Sequence, residues 1–154
     1  MEAIIASAIA VLGTLLGSGI TLAFQQRTVD RGHEFLRGET LRQERLDAYS
    51  TYAGALVNYR RCLIHLWFCL HDPPPQEDAE GVKIRSYDLR SAAQEALFRA
   101  QMLTEDAALS QAAEAVLDSI AHLHKADGRA ELDERRTVTR DGISDLVVAA
   151  KQHL

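Results

Sequence analysis

The segment LDAYSTYAGALVNYRRCLIHLWFCLH, residues 46–71, carries a clear helical repeat. Its apolar side chains recur in alternating steps of three and four, the spacing of one face of an α-helix. One apolar row consists of Leu46, Tyr49, Ala53, Leu56, Leu63, Trp67 and Leu70. A second row beside it consists of Tyr52, Ala55, Tyr59, Cys62, Leu66 and Cys69. Two adjacent rows make an apolar face that suits a bundle core, and Arg60 fills the one missing place in the first row.

The first helix is expected to end at Asp72-Pro73, because proline cannot continue a helix and the residue before it avoids the α region. An exposed acidic loop is predicted over residues 72–83. A second helix is predicted from Lys83 or Ser86 to Leu103. Its apolar face consists of Leu89, Ala93, Ala96, Leu97, Ala100 and Leu103.

Two further helices complete the predicted bundle. Thr104 is expected to cap a third helix that ends near Asp127-Gly128, and a fourth helix is predicted from Ala130 to His153. The apolar face of the third helix consists of Leu109, Ala113, Val116, Ile120 and Leu123. That of the fourth consists of Val138, Ile143, Val147 and Ala150. We therefore expect an all-α protein with about four antiparallel helices, the first of them long.

Before this bundle the chain carries a long uncharged segment. Residues 3–24 contain no Asp, Glu, Lys or Arg. As a helix they would extend about 33 Å, slightly more than a hydrocarbon core of about 30 Å. The segment therefore predicts a single N-terminal transmembrane helix. A cleaved signal peptide is the alternative, but it would need a basic start, and position 2 is Glu2.

The charges that flank this span predict its orientation. No Lys or Arg precedes it, whereas Arg27, Arg31 and Arg37 follow closely. The positive-inside rule then places the N-terminus outside and the remaining chain in the cytoplasm, at the inner membrane. We divide the chain into an anchor (1–25), a charged helical stalk (26–45) and a cytoplasmic bundle (46–154). Acidic and basic residues balance in the stalk, so it is not a polybasic lipid-binding segment.

Small residues recur every four positions within the span. Gly13 and Gly17 form a G-x-x-x-G motif, and Ala6 and Ala10 begin a second row. Small residues let two membrane helices approach closely, which favours self-association through this face.

Composition excludes several classes of protein. The net charge of −5 argues against a nucleic-acid binder, which needs a basic surface. Two cysteines cannot form a disulfide scaffold and agree with a reducing compartment. The sequence contains no glycine-rich phosphate loop, H-E-x-x-H or G-x-S-x-G motif, so no enzyme activity and no cofactor are predicted.

The residues considered for a metal site are Cys62, His65, Cys69, His122 and His124. Cys62 and Cys69 lie about 10.5 Å apart along one helix, too far to share one zinc ion or to form a disulfide. A site that combines His65, one cysteine and a histidine of the third helix stays open as an alternative. Because a buried cysteine usually acts as a small hydrophobe, we predict no metal site.

In composition and layout the chain resembles small single-span bacterial proteins with Ala- and Arg-rich helical cytoplasmic parts, a resemblance that implies no activity. The first hypothesis is a non-catalytic, membrane-anchored interaction protein. Its partners would be the lipid bilayer and either further copies of itself or another membrane or cytoplasmic protein. The second is a membrane-active effector or small channel component that oligomerises through the span. The third is a metal-binding helical bundle.

Overall fold

The fold is all-helical. The computed structural model describes the backbone of residues 2–71 and 78–154, and the side chains of residues 37–71 and 78–154. This part of the chain contains four α-helices, one short 3-10 turn and no strand. They are α1 (Glu2–His71), α2 (Ala79–Leu103), α3 (Ala107–Ala121), the turn Leu123–Lys125 and α4 (Arg129–Lys151). The predictions of an all-α protein and of a long first helix are confirmed.

The chain separates into two compact units, Met1–Leu41 and Arg42–Leu154. The predicted span 3–24 and its small-residue rows lie outside the residues whose side chains the structure describes. Within the described part, none of the helices has both the length and the apolar run that crossing a bilayer requires.

The second unit is an up-and-down bundle of antiparallel neighbours. Near the start of its α1 segment, the Arg45 Nε donates to the Leu103 carbonyl at the end of α2, at 2.8 Å. Farther along α1, the Cys62 thiol donates to the Val82 carbonyl near the start of α2. Arg60 Nε donates to Thr139 Oγ1 of α4 at 3.0 Å. The α1 segment therefore runs antiparallel to α2, as predicted.

The first helix ends at His71, as the proline rule predicted, but the second begins earlier than expected. Asp78 takes the N-cap position, and its carboxylate accepts a hydrogen bond from the Glu80 backbone N–H at 3.1 Å. An aspartate at this position satisfies a backbone donor that the helix itself cannot. The predicted loop over 72–83 is therefore wrong from residue 79 onward.

The cap of the third helix also differs from the prediction. Thr104 closes α2, whereas Asp106 caps α3 and accepts from the Ala108 and Leu109 backbone N–H groups at 2.7 and 3.2 Å. Gly128 does not end this helix, because α3 stops at Ala121 and Gly128 is the N-cap residue of α4. Asp carries the cap because its carboxylate can accept from two N–H groups at once.

The core contains most of the predicted apolar faces. The fully buried large side chains are Leu56, Leu63, Leu97, Ile120, Leu123, Leu132 and Thr139. Four predicted core residues are exposed instead, namely Leu46, Leu70, Val138 and Val147. The face of α4 is rotated from the prediction, since Leu132, Thr139 and Leu146 are buried with Ile143 and Ala150. One helix can bury only one face, so burying these leaves Val138 and Val147 outside.

Candidate functional site

A cavity of about 320 Å³ lies inside the bundle, at the end where α2 meets α3. Each helix contributes one alanine to its lining: Ala53 from α1, Ala100 from α2, Ala113 from α3 and Ala150 from α4. Larger apolar side chains also line it, among them Leu97, Leu109 and Leu146. Alanine side chains in the wall leave space that longer side chains would fill.

The two tyrosine hydroxyls in the cavity wall already have partners. The Tyr52 hydroxyl donates to the Ala113 carbonyl, and the Tyr49 hydroxyl donates to Thr104 Oγ1, each at 2.8 Å. Burial raises the pKa of the Tyr52 phenol, with a further contribution from the Asp118 carboxylate, so this hydroxyl stays protonated as a donor. With these hydroxyls paired, the wall presents mainly carbon to the interior, and cavities of this kind bind apolar groups.

The exposed residues of the lining locate the mouth of the cavity. They all belong to α1 or to the C-terminal part of the chain: Leu46, Ser50, Val147, Lys151 and Leu154. The lining residues from α2 and α3 are buried or half-buried. The cavity therefore opens between α1 and α4, with the Lys151 ammonium as the charged side chain among its described lining residues.

The structure places the metal-site candidates in different parts of the bundle. Cys62 and His65 line a cleft with residues of α2. His122 and His124 line another cleft, which includes Lys125 and Arg90. Cys69 is half-buried on α1. In the described ranges, no three His, Cys, Asp or Glu side chains are arranged to hold a metal ion.

Burial shifts the pKa of two of these side chains. It raises the pKa of the Cys62 thiol, and it lowers the pKa of the His124 imidazole, with the Lys125 charge adding to the lowering. His122 Nδ1 lies 2.8 Å from the Asp118 carbonyl oxygen of its own helix. Both cysteines are free thiols. A neutral thiol and a neutral imidazole are the forms expected of groups packed among apolar side chains.

The outer face of α2 carries an exposed seam, which we define as Ile84, Tyr87, Ser91, Gln94 and Phe98. Ile84, Tyr87 and Phe98 are 55%, 59% and 55% exposed. The seam advances in steps of three, four, three and four, so its members share one side of the helix. The three large side chains leave apolar surface on this face in contact with water.

Sequence reasoning found the elements of these sites but not the sites themselves. All four alanines of the cavity lie on predicted apolar faces, yet nothing in the sequence indicates that they line one cavity. The seam corresponds to a second three-and-four repeat in the sequence of α2. The repeat of core residues on the same helix is stronger, so this second repeat is easily overlooked. The small-residue positions Ala6, Ala10, Gly13 and Gly17 lie outside the side chains that the structure describes.

Comparison with known proteins relates the bundle to a protein family. A family model described as KilB plasmid transfer protein matches residues 46–154. The match begins within α1 and continues through α2, α3 and α4 to the last residue of the chain. No curated protein and no solved structure matches the chain.

Proposed function

Since the chain belongs to the KilB plasmid transfer protein family, we propose that it is a non-catalytic, membrane-anchored interaction protein that associates with copies of itself during plasmid transfer. Residues 1–25 are the anchor, residues 26–45 the stalk and residues 46–154 the cytoplasmic interaction domain. The observation that carries self-association is the exposed seam of α2.

The anchor is supported by the sequence of residues 3–24. This segment has no Asp, Glu, Lys or Arg over a length that would cross the hydrocarbon core as a helix. The arginines that follow it, among them Arg27 and Arg31, favour retention of the bundle on the cytoplasmic side. The site of action is therefore the inner face of the cytoplasmic membrane.

The charges beside the seam favour a second copy of this chain as its partner. Ile84, Ser91 and Phe98 take the a positions of a heptad, and Tyr87 and Gln94 take the d positions. Lys83 and Arg90 are then at the flanking g positions. The flanking e positions are Asp88 and Glu95. In a parallel pair of helices, each g residue faces the e residue five positions later on the partner.

This pairing brings opposite charges together in both heptads. Lys83 of one copy would face Asp88 of the other, and Arg90 would face Glu95. In an antiparallel pair, g positions would face g positions and e positions would face e positions, so like charges would meet. Lys83 now makes an exposed ion pair with Glu80 at 3.4 Å, a contact weak enough to exchange for one across a dimer. The seam therefore selects a parallel pair of copies.

Cysteine crosslinking in membranes tests the association. Ser91→Cys places a thiol at the centre of the seam, and oxidation of membranes that contain the full chain is expected to give a covalent dimer. Ser144→Cys, an exposed serine on α4, is the matched control and is expected to give none. The parent chain, with Cys62 and Cys69, measures the background. Absence of a Ser91→Cys dimer above that background would contradict self-association through α2.

A second thiol position tests the orientation. Ile84→Cys lies at one end of the seam, so two copies that join at position 91 can also join through position 84 only when the helices run parallel. An antiparallel pair centred on residue 91 would separate the two thiols at position 84 by about 21 Å at 1.5 Å per residue. Crosslinking at position 91 without crosslinking at position 84 would refute the parallel arrangement.

Membrane fractionation tests the anchor separately. The full chain is expected to stay with the membrane pellet after washing with alkaline carbonate and to be released by detergent. Replacing Leu15 and Leu16 with Arg should move the chain to the soluble fraction, because charged residues are costly at the centre of a bilayer. Recovery of the parent chain in the carbonate supernatant would refute the membrane anchor while leaving the crosslinking result interpretable.

A further inference from the structure

We propose that the cavity at the α2–α3 end of the bundle is a binding site for an acyl chain with an acidic head group. The apolar chain would occupy the cavity, and the head group would lie at the mouth beside Lys151. The proposal goes beyond self-association, since the cavity lies inside the bundle and the seam lies on the outer face of α2.

The size of the cavity suits a small ligand. Its volume of about 320 Å³ lies at the lower end of the range of about 300–1,000 Å³ for small-molecule sites. A dry apolar cavity of about 150 Å³ is large enough for benzene, so this one accepts a longer hydrocarbon. A flexible alkyl chain fits an irregular space between four helices better than a rigid ring system does.

The chemistry of the wall favours hydrocarbon over a polar ligand. Leucine and alanine side chains from all four helices line the interior. The two tyrosine hydroxyls near it donate to the Ala113 carbonyl and the Thr104 hydroxyl. A polar ligand would lose its hydration in such a cavity without recovering hydrogen bonds, whereas an alkyl chain gains about 0.8 kcal/mol for each buried methylene.

The residues at the mouth indicate which end of the ligand lies outside the cavity. Ser50 and Lys151 lie on opposite sides of the opening, one on α1 and one on α4, and both are exposed. An ammonium group at the entrance of an otherwise apolar cavity attracts an anionic head group while the chain enters. Two sources could supply such a ligand: a free fatty acid, or one acyl chain of an anionic phospholipid.

Photocrosslinking tests the proposal with the full chain in lipid nanodiscs. The probes are a diazirine-bearing laurate and an anionic phospholipid that carries a diazirine on one acyl chain. After irradiation, mass spectrometry of peptides from residues 46–154 locates the label. We expect label on α1 and α4 beside the cavity, removed by excess unlabelled laurate when the free acid is the probe. Label on residues 3–24 reports non-specific contact with lipid, and excess unlabelled laurate is not expected to remove it.

Variants that fill the cavity make the test specific. Ala150→Leu is expected to reduce labelling of the bundle at least tenfold, and Ala53→Leu is expected to do the same from the opposite side of the mouth. Ala130→Leu, the same change at an exposed position of α4, is the matched control and should label like the parent. A thermal unfolding curve for each variant shows which ones are folded, and having two filling variants keeps the test decisive if one of them unfolds.

The role of Lys151 is tested by changing only the charge. Lys151→Gln is expected to weaken labelling by diazirine-laurate several-fold and to leave labelling by the corresponding diazirine alcohol unchanged. Labelling by one probe and not the other identifies the source of the ligand. The proposal is overturned if neither probe labels the bundle, if both filling variants label like the parent, or if Lys151→Gln leaves laurate labelling unchanged.

Discussion

At the scale of single residues, burial decides how the two cysteines differ. Cys62 is buried, and its thiol donates to the Val82 carbonyl across the α1–α2 interface at 3.6 Å. Cys69 lies two turns farther along the same helix and is half-buried. Because the thiolate is the reactive form of cysteine, a buried thiol with a raised pKa reacts slowly.

Thiol modification checks this difference. In the folded protein we expect maleimide to modify Cys69 well before Cys62, since both burial and the raised pKa of Cys62 disfavour attack. The rates are measured by intact-mass spectrometry on Cys62→Ser and Cys69→Ser, which isolate one thiol each. In concentrated urea the two rates should converge. A Cys62 that reacts as fast as Cys69 in the folded state would contradict its placement in the core.

Trp67 connects distant parts of the bundle through a hydrogen bond as well as through packing. Its indole N–H donates to the Ala126 carbonyl at 2.8 Å, and its ring stacks on His71 at a centroid distance of 4.3 Å. The hydrogen bond ties the last turns of α1 to the connection between α3 and α4. The sequence places Trp67 in the core, but its polar partner lies 59 residues away and becomes visible only in the fold.

At the scale of elements, the helix ends are set by aspartates. Asp78 caps α2 and Asp106 caps α3, each with a carboxylate that accepts from backbone N–H groups of the first turn. Asp and Glu residues stand near both starts, and Thr104 stands near the start of α3, so the sequence offers more than one possible cap. The N-cap is the residue whose backbone stays extended while the residues after it become helical.

Substitution of the α3 cap checks this assignment. Asp106→Ala should lower the free energy of unfolding by about 1 kcal/mol, because two backbone N–H groups lose their acceptor. Asp106→Asn is the matched control and should cost much less, since Asn is as good an N-cap as Asp. Urea unfolding followed by circular dichroism measures both changes. Equal losses for the two variants would indicate that the ion pair of Asp106 with His153, at 3.2 Å, matters more than the cap.

At the scale of the whole second unit, one arginine joins the first and last helices. Arg60 donates to Thr139 Oγ1 at 3.0 Å and to the Arg136 carbonyl at 2.7 Å, contacts that span more than 75 residues of sequence. Thr139 is buried and donates in turn to the Arg135 carbonyl at 2.8 Å. Burial lowers the pKa of the Arg60 guanidinium, but arginine stays charged at any physiological pH. Arg60, the polar residue in an apolar row, therefore joins α1 to α4 by hydrogen bonds.

Removing this link should loosen the docking of α4. Arg60→Met keeps much of the side-chain length and is expected to lower the free energy of unfolding by about 1.5–3 kcal/mol, the range for hydrogen bonds with a charged partner. Hydrogen exchange should rise first in α4. Arg61→Met, at the next and exposed position, is the matched control. A stability unchanged by Arg60→Met would mean that apolar packing alone holds α4 in place.

Local spacing and proline geometry were enough to predict the helical class, the end of α1 at His71 and most of the buried faces of α1, α2 and α3. The early start of α2, the cap of α3 and the rotation of α4 were decided by competition among neighbouring residues for the same caps and the same core. The cavity and the link from Arg60 to Thr139 depend on which residues of different helices reach the same level. Only tertiary packing sets that level, since each helix can slide or turn along its neighbour without any change in its own repeat.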